Sequence, residues 1–276
     1  MKRLLFICLM ILCLLPLGGW AEESAQETFA CGDFEYILLE DGTAEITGYT
    51  GDSEELVIPM ELGGLRASSI GDSAFIERHE LTSATIPGSV SNIDHYAFAY
   101  CTCLANVTIQ DGVVEISGRF FEGCSSLTTV VIPGSVLVIG DYAFADCRML
   151  ADVEIREGVT SIGDGAYAGC CLTAVTVPES MISIGNGPFG GNPSLQEISV
   201  RQNNPACTAI DGVLFGKDGL VLVQYPAGRQ NETYMIPDGI TRIGAFAFEC
   251  CEHLTTVIIP EGTTQIMDYA FPTVAV

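Results

Sequence analysis

The chain has 276 residues, with 35 acidic against 11 basic side chains and a formal net charge of −24 at pH 7. A surface of that sign repels phosphate backbones and anionic lipids, which argues against nucleic-acid binding. Its length alone suggests one or two globular domains, but an internal period replaces that expectation with one elongated domain.

Lys2 and Arg3 precede an apolar run from Leu4 to Leu17, followed by Gly19-Trp20-Ala21. This pattern predicts a secretory signal peptide over residues 1–21. The run is short for a membrane span, and no second run of spanning length follows, so no membrane insertion is expected after its removal. Cys8 and Cys13 lack the preceding small residue that a lipid-modified signal needs. Removal takes two basic residues and no acidic ones, moving the charge from −24 to −26. It also takes Trp20, the only tryptophan, which weakens a sugar-stacking reading without excluding it.

Residues 22–57 read as an N-terminal cap. Phe34–Leu39 and Thr43–Tyr49 flank Glu40-Asp41-Gly42, and Asp-Gly between two β-rich runs signals a hairpin. Leu56-Val57-Ile58-Pro59 is the first repeat-like strand, and the linker from it to Ile70 carries extra residues.

Residues 58–276 are periodic. An isoleucine recurs at Ile70, Ile93, Ile116, Ile139, Ile162, Ile184, Ile243 and Ile266, at spacings of 23, 23, 23, 23, 22, 59 and 23. An aromatic follows it (Phe75, Phe98, Phe121, Phe144, Tyr167, Phe189, Phe248, Phe271), then a leucine, a branched pair such as Val130 and Ile132, and often a proline. A fixed period of this size means stacked units that cannot fold singly. Alternation puts Val130 and Ile132 inward and Thr129 and Val131 outward. The Asp141–Cys147 segment is too short for a free helix and is expected to make a single helical turn, capped by Asp141. Strands about 4.8 Å apart make roughly nine coils a rod on the order of 40 Å long. The pattern breaks at about 201–236, where Val213-Leu214-Phe215 and Leu220–Tyr225 around Gly216–Gly219 read as an inserted hairpin. The last repeat stops soon after Phe271. Its edge is expected to expose Val257, Ile259 and Phe271 and to fray, with a weak homodimer through this C-terminal edge as the competing expectation.

The shared motif I-G-x-x-A-F-x-x-C-x-x-L-x-x-V-x-I-P, over roughly residues 33–271, resembles the BspA-type leucine-rich repeat of bacterial surface proteins. The insert resembles a hairpin-bearing module common in that family. The resemblance implies a leucine-rich repeat solenoid, mainly β with short helical turns and an N-terminal β-hairpin cap. It also implies a secreted or cell-surface binding role and no catalytic residues.

Side-chain chemistry is weighed on that frame. Cys101, Cys124, Cys147, Cys170 and Cys251 form one column, with Arg78 and Asn192 substituting. Free buried thiols, ladder disulfides and metal ligands are the three readings; side chains in a parallel ladder point alike, which favours the first. Cys101-Thr102-Cys103, Cys170-Cys171 and Cys250-Cys251 do not match zinc spacing. Asp72, Asp141, Asp164 and Asp268 form an acidic column that His95, Gly118 and Ala245 interrupt, which suits turn capping better than a calcium ladder. His79, His95 and His253 occupy different repeat phases, and neither H-E-x-x-H nor G-x-S-x-G occurs. The expectation is therefore no enzyme, no metal and no cofactor. The outward strand columns remain, and they supply a possible ligand face of Asn106, Thr108, Thr129, Val131, Asp152, Glu154, Thr176 and Glu197. A protein or glycan ligand on this face is the first reading. A structural or self-associating cell-envelope component is the alternative, and a hydrolase a distant third.

Overall fold

The computed structural model describes residues 26–272. The signal-peptide reading over 1–21, residues 22–25 of the cap and the stretch 273–276 lie outside the described residues. The chain winds as a leucine-rich repeat solenoid of short strands, each coil presenting a long-strand face, a short-strand face and a turned corner.

On the long face, Thr129–Ile132 alternates exposed and buried residues, with Val130 and Ile132 inside. It pairs in parallel with Asp152–Ile155, Thr129 opposite Asp152 and Val131 opposite Glu154. One repeat of chain therefore returns each column to itself. The short face repeats this with two-residue strands, Glu115–Ile116, Val138–Ile139, Ser161–Ile162 and Ser183–Ile184, in one parallel sheet.

The corner departs from the expected helical turn, and no helix occurs among the described residues. Tyr142 N–H donates to Asp164 O, Phe144 N–H to Ala166 O and Asp146 N–H to Ala168 O, all in the next coil. The amides between them, on Ala143, Ala145 and Cys147, reach back three residues to Gly140, Tyr142 and Phe144. Alternate N–H groups thus point along the solenoid axis, whereas a helix aims all of them along its own. Left-handed residues at Tyr142 (φ 56) and Asp146 (φ 56) produce this alternation. Each costs a non-glycine residue about 1–2 kcal/mol, offset by the inter-coil bond it allows. Gly123 and Gly169 stand in the same column as Asp146 and adopt it without strain. The capping expectation changes too: Asp141 Oδ1 accepts from the amide of Asp164, one coil on, and Asp164 Oδ1 from Asn186.

Inside, Phe75, Phe98, Phe121, Phe144, Tyr167 and Phe189 stack with neighbouring ring centroids 4.7 to 5.9 Å apart. The ten described cysteines are free. In their column, Cys147 Sγ donates to Phe121 O at 3.2 Å and Cys170 Sγ to Phe144 O at 3.1 Å. The thiols of Cys101, Cys124, Cys147 and Cys170 thus each satisfy a carbonyl of the preceding coil, whereas Cys251 Sγ lies nearest Glu249 O of its own coil. Asn192 fills the same role with an amide: Nδ2 donates to Tyr167 O at 2.8 Å. Its Oδ1 accepts from Leu172 N at 3.0 Å, and the spacing of 22 explains why. Leu127 and Leu150 bond the carbonyl three residues back, on Cys124 and Cys147. Cys170-Cys171-Leu172 is a residue shorter, so Leu172 turns to the next coil for its acceptor.

Thr28–Cys31, Phe34–Leu38 and Ala44–Tyr49 form an antiparallel meander whose last strand joins Leu65–Ile70 in parallel. The rings of Phe34 and Tyr49 cover Phe75 and close that end of the stack. The extra linker residues make a second hairpin, Glu61–Leu62 against Leu65–Ile70, turning at Gly63 and Gly64, both at positive φ.

The insert has three strands where the sequence suggested two: Cys207–Ile210, Val213–Gly216 and Val221–Gln224, antiparallel in order. The third also pairs in parallel with Arg242–Ile243, placing Leu222 in the isoleucine column. Tyr225 stacks on Phe248, which stacks on Phe271. Val221–Gln224 is thus both the end of the hairpin and the start of a coil. The core divides here, with Leu214 and Val223 on one side and Val213, Phe215 and Leu222 on the other. At the last coil, Val257 is buried, contrary to the expected exposure, because Ile236 and Leu254 close over the same core. Ile259 and Phe271 are half-buried against it, and Ile258, Ile266, Met267 and Tyr269 are the exposed large apolar groups there.

Candidate functional site

All eight residues of the anticipated ligand face are exposed. Strand alternation fixes this, since their neighbours Val130, Val153 and Val175 are needed in the core. They do not form one continuous sheet. Asn106 and Thr108 lie on a strand paired with Ser83–Ile86, while Thr129, Val131, Asp152 and Glu154 share a two-stranded ladder. Thr176 and Glu197 belong to a third sheet, Ala174–Val177 with Glu197–Val200. Thr176 Oγ1 and Ser199 Oγ lie 2.9 Å apart across it.

Between the second and third sheets runs a groove of about 480 Å³ lined by Asp152, Glu154, Arg156, Glu157, Thr176 and Arg201. Arg156 Nε donates to Glu154 Oε1 at 3.0 Å. The Glu157 carboxylate accepts from the amides of Glu179 and Ser180 at 3.0 Å each. The bond from Glu179 leads in holding that carboxyl below its usual range. The groove therefore carries carboxylates and guanidinium groups side by side, and suits a polar ligand with donors and acceptors of both kinds.

Sequence reasoning passed over the two arginines. Their signal was present: Pro87, Pro133, Pro178 and Pro260 follow the long strands, and Arg156 and Arg201 occupy that column instead. Arginine there extends over the groove where proline would end flush.

A second groove, of about 460 Å³, lies at the corner around Arg119. Its guanidinium sits 4.7 Å from the Tyr142 ring centroid and 5.8 Å from that of Tyr96, and pairs with Glu122 at 2.9 Å. These groups satisfy one another, so this groove is mainly a structural stack.

The thiols of the inner column are disarmed by burial, while Cys103 and Cys250 are exposed. Burial pushes the thiols of Cys101 and Cys170 up to about 12, and a neutral thiol attacks poorly. His95 Nδ1 meets Asp94 Oδ1 at 2.9 Å in the open, and His79 Nδ1 meets Thr102 Oγ1 at 3.1 Å. Among the described residues no group of three or more His, Cys, Asp or Glu side chains is placed to hold a metal ion. Nor is any helix there long and apolar enough to cross a membrane.

A family model described as the BspA type leucine-rich repeat region matches residues 68–204 and 227–275, in six copies. The unmatched stretch between them holds the three-stranded insert. Among solved structures, the chain is similar to a leucine-rich cell surface protein of Faecalibacterium prausnitzii A2-165, at 31% identity over 89% of this chain and 73% of that one, with a TM-score of 0.67. It is similar to the pneumococcal vaccine antigen PcpA at 22% identity, over 89% of this chain and 67% of that one, with a TM-score of 0.78. A leucine-rich repeat protein of Eubacterium ventriosum aligns at 24% identity over 90% of this chain and 63% of that one, with a TM-score of 0.59. The last two likenesses concern the fold alone. No curated protein matches the sequence.

Proposed function

The chain belongs to the BspA-type leucine-rich repeat family, and on that premise we propose that it is a non-catalytic binding or adhesion module acting outside the cell. Its ligand is a protein or glycan, engaged by the outward long-strand face. The observation that carries this reading is the groove beside Asp152 and Glu154, where Arg156 and Arg201 replace the proline column. The core does not need these side chains, so the fold leaves them free for recognition. The extracellular placement rests on the N-terminal apolar run and on the Faecalibacterium relative, itself described as a cell surface protein.

The test is a binding screen of the purified chain lacking residues 1–21 against host matrix proteins and glycans. It is repeated with Thr129, Asp152 and Glu154 all changed to Ala. Saturable binding by the parent, weakened about tenfold or more in the variant at unchanged circular dichroism, is the expected result. Binding that survives the triple change refutes this face as the site. Concentration-dependent self-assembly with no saturable ligand would favour the envelope-component alternative.

A further inference from the structure

The short-strand face contains an open edge in the middle of the chain. In the coils before it, Leu137 O accepts from Thr160 N and Ile139 O from Gly163 N, both at 2.8 Å. The equivalent carbonyls one coil further, on Thr160 and Ile162, accept from Ser183 and Gly185. At Ile182 and Ile184 the series stops, and no amide of the described residues donates to either carbonyl. The insert is the cause. It supplies the next coil's strand, Val221–Gln224, but that strand is already paired on both sides, with Val213–Gly216 and with Arg242–Ile243.

The result is a cleft of about 820 Å³ between the Ser183–Ile184 edge and the hairpin tip, lined on its apolar side by Ile182, Val221 and Met267. Ile182 is 68% exposed and Met267 43%. Lys217 and Arg242 stand on the polar side. Both are exposed, and neither makes an ion pair among the described residues. Lys217 is the only lysine after Lys2 in a chain of net charge −24. The one carboxylate in the lining, Asp218, is held in the turn by the Leu220 amide at 3.0 Å.

We propose that this cleft binds an extended, acidic segment of a partner protein, which adds as a strand to the Ser183–Ile184 edge. Its amides donate to the carbonyls of Ile182 and Ile184, as the next coil does elsewhere on this face. Strand addition gives main-chain affinity, and side-chain contacts give selectivity. Alternate side chains of the segment turn toward Ile182 and Met267, and its carboxylates meet Lys217 and Arg242. Charge decides the occupant: two unpaired cations at one cleft of a strongly acidic surface select an acidic strand and steer it to this place. The site is separate from the long-strand face and does not depend on the function proposed for it.

The probes are short fluorescent peptides alternating Glu with Val, Ile, Thr or Tyr, titrated against the purified chain by anisotropy. Three comparisons follow: the same peptides N-methylated at alternate residues, the same peptides with Lys for Glu, and the variant K217E/R242E. Expected are saturable binding by the acidic set, loss of about tenfold or more with the double variant, and loss on N-methylation. Binding should also weaken with salt. No binding across the acidic set overturns the proposal, as does equal binding of the N-methylated set. A concentration-dependent dimer of the chain alone, abolished by K217E/R242E, would make a second copy the occupant and overturn the assignment to a partner protein. Substitution of Thr129, Asp152 and Glu154 should leave peptide binding unchanged.

Discussion

Asn192 joins two irregularities of the repeat, and their coupling can be measured. The 22-residue spacing deprives Leu172 of the acceptor three residues back, and the asparagine replacing cysteine one coil later provides it. Asn192 is fully buried, with Nδ2 near the carbonyls of Tyr167, Phe189 and Gly190 at 2.8, 3.0 and 3.1 Å. Asn192→Ala leaves the Leu172 amide and the Tyr167 carbonyl buried without partners. At about 1–3 kcal/mol for each such group, the loss should be about 4 kcal/mol. Asn192→Cys restores the donor that the column supplies elsewhere but has no amide oxygen for Leu172, so about 1–3 kcal/mol should remain lost. Inserting one serine after Cys171 should return to Leu172 its local acceptor, and in that background Asn192→Cys should cost little. The assay is a double-mutant cycle by urea denaturation, with amide exchange at Leu172 as the local readout. An equal cost of Asn192→Cys in both backgrounds would refute the coupling.

Phe144, fully buried between Phe121 at 5.3 Å and Tyr167 at 5.0 Å, should cost about 3–5 kcal/mol on change to Ala; an unchanged melting temperature would count against its place in the core. Alkali should destabilise the protein through the thiol column. Unfolded thiols ionise near 9.0, whereas burial holds folded Cys101 and Cys170 at about 12 and pushes Cys124 and Cys147 in the same direction. Below pH 9.0 both states are protonated and the thiols' contribution is fully present. Above it the unfolded chain releases protons that the fold retains, so stability falls by about 1.4 kcal/mol per pH unit for each thiol until the folded groups also ionise. Urea titrations across that window should show the fall, and Cys147→Ala should make it shallower.

Much of this architecture was legible in the sequence because a repeat states each column several times. The cysteine column came out buried, and so did the isoleucine and aromatic columns except for half-buried Ile184 and Phe271 and exposed Ile266; the strand alternation follows from Val130 and Ile132. The corner was not legible. Tyr142 and Asp146 adopt left-handed backbone although only some coils carry glycine in these columns, such as Gly123, Gly165 and Gly169, because the bonds that favour this are made to another coil. The second role of Val221–Gln224 was hidden by a slip in register: the period points to Leu220, while Leu222 pairs with Ile243. The cleft beside it has no local signature, since it arises from a strand already paired on both sides. On the candidate face, exposure could be read from alternation, but the break between sheets and the groove it opens could not.

The axial direction of the amide bonds gives the molecule a particular mechanical character. Tension between the two ends of the stack acts nearly parallel to those bonds and draws coils apart like pages of a book. Rupture of this kind proceeds one leaf at a time at modest force, each freed coil paying out about 80 Å of extended chain at ~3.5 Å per residue. The place to tear first is beside the insert, where the core divides and the short face has no ladder to carry the load. Tension across the rod instead strains covalent backbone around each loop of the winding. A tether built this way yields gradually when pulled lengthwise and resists when pulled from the side.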